Sequence, residues 1–482
     1  MIRLSCLLIL VCAFPVLCRA QSPSLYQTDF SIEEFKARRA KVFDAIGGNS
    51  MAIVQGAPSV NGFRVFRQSN EFYYLCGLET PHSYLLLDGR TRKVTLYLPH
   101  RDEARERNEG KLLSVEDAEL VKKLTGVDAV LAVDLMGRDW IWTLVKAPPP
   151  ALYTPFSPAE VGADSRDELL GGMAGTISDP WDGRPSREGQ FVQLIRARYP
   201  QFEVRDLSPV LDRMRIIKSP KEIELIRRAS QLAGLGLVEA MRSTEPGVME
   251  YQLDAAARYV FQINGARREG YSSITAGGTN AWMGHYFRNE SELKNGDMVL
   301  MDYAPDYRYY TSDVARMWPV NGRYTEGQRK LCEFILAYRN ALLKRIRPGA
   351  LPAQIMDEAA REMEEYLNKN RFSQPQYERA AREALKFRGH LSHPVGMAVH
   401  DVGSYKDGPL KVGMVFSVDP MLWVPEEKLY VRMEDVVAVT ETGVENFTDF
   451  IPASPQDIEN AIREEGVVQK RPPSPPPSSL RL

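Results

Sequence analysis

The sequence predicts an α+β protein of two domains, on three observations. The chain has 482 residues, more than one ordinary hydrophobic core organises. Up to about residue 207, short apolar runs alternate with amphipathic stretches, the pattern of an α/β unit. Beyond that point, long helical periods flank paired strand-like runs, the pattern of helices packed on an antiparallel sheet. Apolar residues at 44% and charged residues at 26% belong to a globular chain. A formal charge of −2 with no basic stripe or tail gives nucleic acid nothing to bind, so none is expected as a partner.

Residues 1–20, MIRLSCLLILVCAFPVLCRA, read as a signal peptide. Arg3 supplies the positive start, 4–17 an apolar run too short for a comfortable membrane span, and Cys18 and Ala20 the small residues of a cleavage site. The expectation is a secreted or periplasmic protein with no membrane partner after cleavage; an uncleaved anchor is the alternative. Cleavage removes Cys6, Cys12 and Cys18 and leaves Cys76 and Cys332, which are too few and too far apart for a disulfide framework.

Residues 21–207 form the first domain, with helices over 30–46, 115–124 and 185–198. Its strands fall at 51–55, 84–87, 94–98 and 129–133, and a Pro-rich loop is expected over 147–158. The second domain, 208–455, opens at KSPKEIELIRRASQLAGLGLVEAM, where Ser219, Pro220 and Glu222 make a capping box with proline in the first turn. Further helices are expected over 249–263, 326–344 and 351–370, and strands over 298–303, 312–320, 414–418 and 429–439. The remainder, 456–482, ends in RPPSPPPSSLRL, which cannot build a core, and the whole segment is expected to be a disordered tail.

Four of those strands carry an acid at a core-like place: Asp302, Asp313, Asp419 and Glu434. Asp is a poor strand former, and a buried carboxylate is costly without a partner. Four like charges that converge would be driven to protonate unless cations neutralise them. By the period-two rule Tyr430, Arg432 and Glu434 share one face, while Asp435 points to the other and is expected to be solvated or paired structurally. Of six histidines, four lie in this half: His285, His390, His393 and His400. One histidine added to four carboxylates makes an oxygen-rich set suited to Mn²⁺, Co²⁺ or Zn²⁺, and two such ions can share a bridging hydroxide.

This joint pattern resembles the pita-bread metallopeptidases, aminopeptidase P and prolidase above all. FRQSNEFYYLCGLETPHSYLLLDG is similar to the creatinase-like amino-terminal domain of that family, and RMRIIKSPKEIELIRRA to the opening of its catalytic domain. The paired acids of the hairpin match Asp302 and Asp313, LSHPVGMAVHD points to His393, and RMED points to Glu434. With Asp419 these five are the metal ligands the resemblance implies. It also implies that His285 contacts substrate and polarises the scissile carbonyl, that His400 acts near the leaving imino nitrogen, and that Arg432 fixes the substrate or the site acids. The implied activity is hydrolysis of the amino-terminal Xaa-Pro bond of peptides, with proline in second position, by a metal-bound hydroxide. The implied enzyme holds two divalent ions, Mn²⁺ first, and is a dimer or tetramer.

Two departures stand out. The family has Glu where this chain has Asp419, so the carboxylate is withdrawn by about 1.5 Å, one C–C bond. The position four residues before His393, usually His, is Gly389, and His390 follows it. The first departure opens a rival expectation, a metal-deficient binding protein on the same fold. The second displaces or removes a substrate-contacting imidazole.

Overall fold

A computed structural model describes residues 25–60, 62, 64–140, 151–162 and 164–470. The expected signal peptide and residues 471–482 lie outside the described residues. No helix among the described residues is long and apolar enough to cross a membrane.

The first half is a six-stranded sheet in the order β4-β3-β2-β1-β5-β6. Its strands are β1 Met51–Gln55, β2 Tyr84–Asp88, β3 Lys93–Leu98, β4 Ala129–Ala132, β5 Ala151–Thr154 and β6 Glu203–Asp206. β1, β2 and β3 pair antiparallel, whereas β4, β5 and β6 join parallel. β5 occupies the middle of what the prolines suggested was loop. Ala151 and Leu152 follow the proline run and are fully buried, and Leu152 and Tyr153 pair with β1, so packing overrides the local signal.

The second half carries β8 Ile274–Gly277, β9 Met298–Asp302 and β11 Ala315–Pro319 as one antiparallel sheet, after a short β7 Arg268–Glu269 that pairs with β10 Pro305–Asp306. β12 Val415–Val418, β15 Asp435–Val439 and β16 Val444–Asn446 form another sheet, and β13 Met421–Val424 pairs with β14 Leu429–Arg432. A single bridge between Ala315 and Glu434 ties β11 to the turn joining β14 to β15. Helices Pro220–Arg242, Glu250–Ile263, Glu326–Leu343 and Pro352–Lys369 match the periodic runs within a residue or so. The capping box closes as the sequence implies: Ser219 N–H donates to Glu222 Oε2 at 2.9 Å, and Glu222 N–H to Ser219 Oγ at 3.3 Å.

The expected tail starts too early. Helix Pro455–Ile462 is capped by Ser454, and Ile458 packs, fully buried, into the core of the second half. Ile458, with Ala461 and Ile462 packed beside it, anchors 455–462, which composition alone does not reveal.

The two halves share buried charge. Arg215 pairs with Glu160 at 2.6 Å and with Asp401, while Lys218 lies 3.1 Å from the same Asp401. Arg67 meets Asp306 at 2.6 Å. The apolar core of the first half also takes in Tyr310, Val395 and Val436 from the second.

Candidate metal centre

The acids sit at the ends of their strands, not in the middle. Asp302 is the last residue of β9, and Asp419 directly follows β12. Asp313 lies before β11, which begins later than the sequence suggested, and Glu434 lies in the break between β14 and β15. Each ladder stops where a carboxylate turns to a common centre. All four are buried.

Arg432, at the end of β14, stands among them. Its Nη2 is 3.0 Å from Asp302 Oδ2, its Nε is 3.2 Å from Asp419 Oδ1, and its guanidinium also contacts Glu434. Of the two roles open to Arg432, the geometry supports fixing the acids. The hydroxyl of Tyr271 lies 2.6 Å from Asp302 Oδ1 and 3.0 Å from Asp313 Oδ1. Nothing in the sequence marks Tyr271, because its partners become neighbours only in the fold.

His393 faces the same centre. Its Nδ1 is 3.2 Å from the Pro394 carbonyl oxygen, which can only accept, so Nδ1 carries the hydrogen and Nε2 presents its lone pair, with Ser417 Oγ 3.5 Å away. Nε2 lies 3.0 Å from Asp313 Oδ2 and 3.9 Å from Glu434 Oε1. Glu434 Oε1 is buried and accepts no hydrogen bond from the described residues. Ligand atoms of Asp313, His393 and Glu434 all fall within 4.8 Å of one another. Lone pairs facing one another at this range are satisfied by a cation, and the donor set of carboxylates and one neutral imidazole suits a divalent one. Asp302 and Asp419 are outside that tight group and are reached through Arg432.

Charge crowding leaves its mark. Burial, then Glu434 and Asp302, push the Asp313 carboxyl well above the usual range. Burial likewise drives Asp419 well above it, with Glu434 and Asp302 adding, against the pull of Arg432. For Glu434 burial acts upward too, but the carboxyl is held low, chiefly by Arg432. Burial, then His400, push His393 down to about 4, so its imidazole is neutral and ready to ligate.

A cleft of about 290 Å³ opens onto the centre and is lined by Tyr271, His285, Phe287, His393, His400 and Arg432 among others. The rings of His400 and His393 are 4.1 Å apart, and His285 is 6.3 Å from His400. Seven of the eight site residues picked from the sequence line this cleft, and the eighth, Glu434, is fully buried behind it against Arg432 and His393. His390 does not line it: it stands edge-on to Phe387 at 5.0 Å and lines a neighbouring cavity of about 580 Å³, while Gly389 offers no side chain. The displaced imidazole is thus off the cleft. Asp435, on the opposite face, is buried between Arg316 and Arg339, each at 2.7 Å.

Residues 224–441 match the metallopeptidase family M24, and residues 35–140 match the aminopeptidase P amino-terminal domain. The Xaa-Pro aminopeptidase of Escherichia coli K12 is 30% identical over 455 residues, which span 90% of this chain and 98% of that protein. The chain belongs to metallopeptidase family M24, among the aminopeptidases P. The solved aminopeptidase P from E. coli with the inhibitor Pro-Leu superposes on this M24 chain with a TM-score of 0.73 at 27% identity, covering 92% of this chain and 100% of that one. A zinc-substituted E. coli aminopeptidase P in complex with product gives 0.72 at 28% identity, over 90% and 99%. The M24 fold is the expected one, a creatinase-like α/β domain before a pita-bread domain, and the family supports divalent-metal binding, for which the carboxylate-histidine centre is the candidate.

Proposed function

We propose that this protein removes the first residue of peptides whose second residue is proline, using two divalent ions, with Mn²⁺ the first choice and Co²⁺ or Zn²⁺ as alternatives. The observation that carries the reading is the meeting of His393 Nε2, Asp313 Oδ2 and the unpartnered Oε1 of Glu434 at the floor of a cleft that also holds His285 and His400. Relatives named Xaa-Pro aminopeptidase and the aminopeptidase P bound to Pro-Leu support the substrate class.

When bound, divalent ions supply Lewis acidity toward the scissile carbonyl and make water a nucleophile near neutral pH. The chain does the rest. Arg432 spreads one positive charge over Asp302, Asp419 and Glu434 and keeps the ligands aimed. Tyr271 holds Asp302 and Asp313 in register. His285, exposed at the mouth, donates to the carbonyl oxygen as charge builds there. His400 stands beside His393 to steady the leaving imino nitrogen. Asp419 is the proton carrier, in the place the family gives to Glu.

A metal-deficient binding protein is the weaker reading, because Asp419 keeps a carboxylate at the centre and every other ligand is present. The amino-terminal sequence supports action outside the cytoplasm, and an oligomer is proposed with it.

The test is hydrolysis of Xaa-Pro-Xaa peptides beside Xaa-Ala-Xaa controls, before and after chelation. Release of the first residue from the proline peptides alone, lost on chelation and restored by Mn²⁺, is the expected result. No cleavage of any peptide at saturating metal would exclude the activity.

A further inference from the structure

The helix Arg166–Ser178 belongs to the stretch between the two matched ranges, 35–140 and 224–441, so neither match assigns it a role. Among its residues only Arg166 is buried, and it is anchored to Glu71 at 2.7 Å, with Asp212 at 3.6 Å. The start of the helix is therefore fixed, while the residues after it are exposed or partly exposed.

That fixed end reaches the metal centre of the other half. Asp167 Oδ2 lies 2.7 Å from His400 Nδ1. The second oxygen, Oδ1, accepts the Glu168 backbone N–H at 3.0 Å, so the carboxylate has one orientation. Ser165 occupies the N-cap position, where a hydroxyl ordinarily accepts from its own helix. Here it makes no such bond; its Oγ accepts the backbone N–H of His400 at 3.2 Å. Three consecutive residues thus act together: Ser165 holds the His400 main chain, Asp167 holds its ring, and Arg166 locks both in place.

We propose that Asp167 is a positioning residue for His400, delivered by the amino-terminal half to orient an imidazole of the catalytic half. An ionised carboxylate only accepts, so Nδ1 of His400 carries its hydrogen toward Asp167. The ring is then set with Nε2 as the nitrogen available to the cleft. The amino-terminal half becomes a working part of the active site, and its seating against the catalytic half controls how His400 is presented. The role in turnover rests on the peptidase reading above; the orientation of the ring does not.

The test uses the full-length, metal-loaded enzyme and the variants Asp167→Ala, Asp167→Asn, Asp167→Glu, His400→Ala and the double Asp167→Ala/His400→Ala. Removing a carboxylate that orients a working imidazole lowers activity by about 10-fold or more. Asp167→Ala and Asp167→Asn should show that loss in kcat/KM on an Xaa-Pro peptide with unchanged Tm and metal content. Asp167→Glu should recover part of it, and the double variant should match His400→Ala alone. Independently of turnover, ¹⁵N resonances of the His400 ring should report the Nδ1–H tautomer in the wild type and a mixture in Asp167→Ala. Wild-type kcat/KM in Asp167→Ala, or losses that multiply in the double variant, would overturn the proposal. If the wild type cleaves no Xaa-Pro peptide, the peptidase reading fails, and the tautomer of His400 alone decides the positioning role.

Discussion

Nη2 of Arg432 lies 3.0 Å from Oδ2 of Asp302, and the same guanidinium spans Asp419 and Glu434. One fixed cation therefore stands where four buried carboxylates converge. Replacing Arg432 by Met strips that charge and leaves the acids to repel one another. Breaking a buried charge set costs about 3–5 kcal/mol. The loss of stability should be largest in chelator and smaller in excess Mn²⁺, whose charge offsets part of the repulsion. Denaturant melts in the two buffers check it; equal losses in both would contradict it.

Asp419→Glu extends a carboxylate toward the centre by about 1.5 Å. Asp419 lies outside the tight group of Asp313, His393 and Glu434, so the longer side chain should tighten metal binding. The expected result is higher activity at limiting Mn²⁺, with the two proteins converging at saturating metal. Activity as a function of free Mn²⁺ measures it. A variant with weaker metal response would show that the backbone already places Asp419 correctly.

Asp401 is buried against Arg215 and Lys218 at the junction of the halves. Burial alone would raise its carboxyl, but Arg215 and then Lys218 hold it below the usual range. A depressed folded value means stability that is complete above the unfolded value of about 3.9 and is lost as pH falls through the folded one. Asp401→Asn leaves two buried cations short of a partner and should cost about 3–5 kcal/mol at neutral pH. The gap between wild type and variant should narrow below about pH 4. Melting curves from pH 7 to pH 3 test it; a constant gap would contradict it.

Much of this was legible in the sequence. The capping box at Ser219 and Glu222 is a local device, and it closes as written. The acids Asp302, Asp313, Asp419 and Glu434 stood out because carboxylates are rare in strands, and the fold brings them together. What could not be read depends on contacts distant along the chain. Tyr271 meets two acids only once β8 and β9 pair, and Asp167 meets His400 only once the halves pack. Ala151–Thr154 reads as loop from the prolines on either side of it and becomes a strand because β1 lies beside it. Helix Pro455–Ile462 was lost in a tail judged by composition, although Ile458 finds the core.

Cys76 and Cys332 are free and buried, with burial pushing both thiols up to about 12. Buried, protonated thiols are inert. Neither should react with a thiol reagent in the folded protein, and both should react in denaturant. Rapid labelling of the native protein would contradict their placement.

We propose that Asp302, Asp313, His393, Asp419 and Glu434 together hold divalent metal for peptide hydrolysis. The most direct measurement is calorimetric titration of chelator-treated protein with Mn²⁺, followed by peptidase assay of the same samples, for wild type and Glu434→Gln. Two ions per wild-type chain are expected, with activity rising as they bind, and Glu434→Gln should bind metal more weakly and show no activity. Undiminished peptidase activity in metal-free wild type, or full activity in Glu434→Gln, would contradict it.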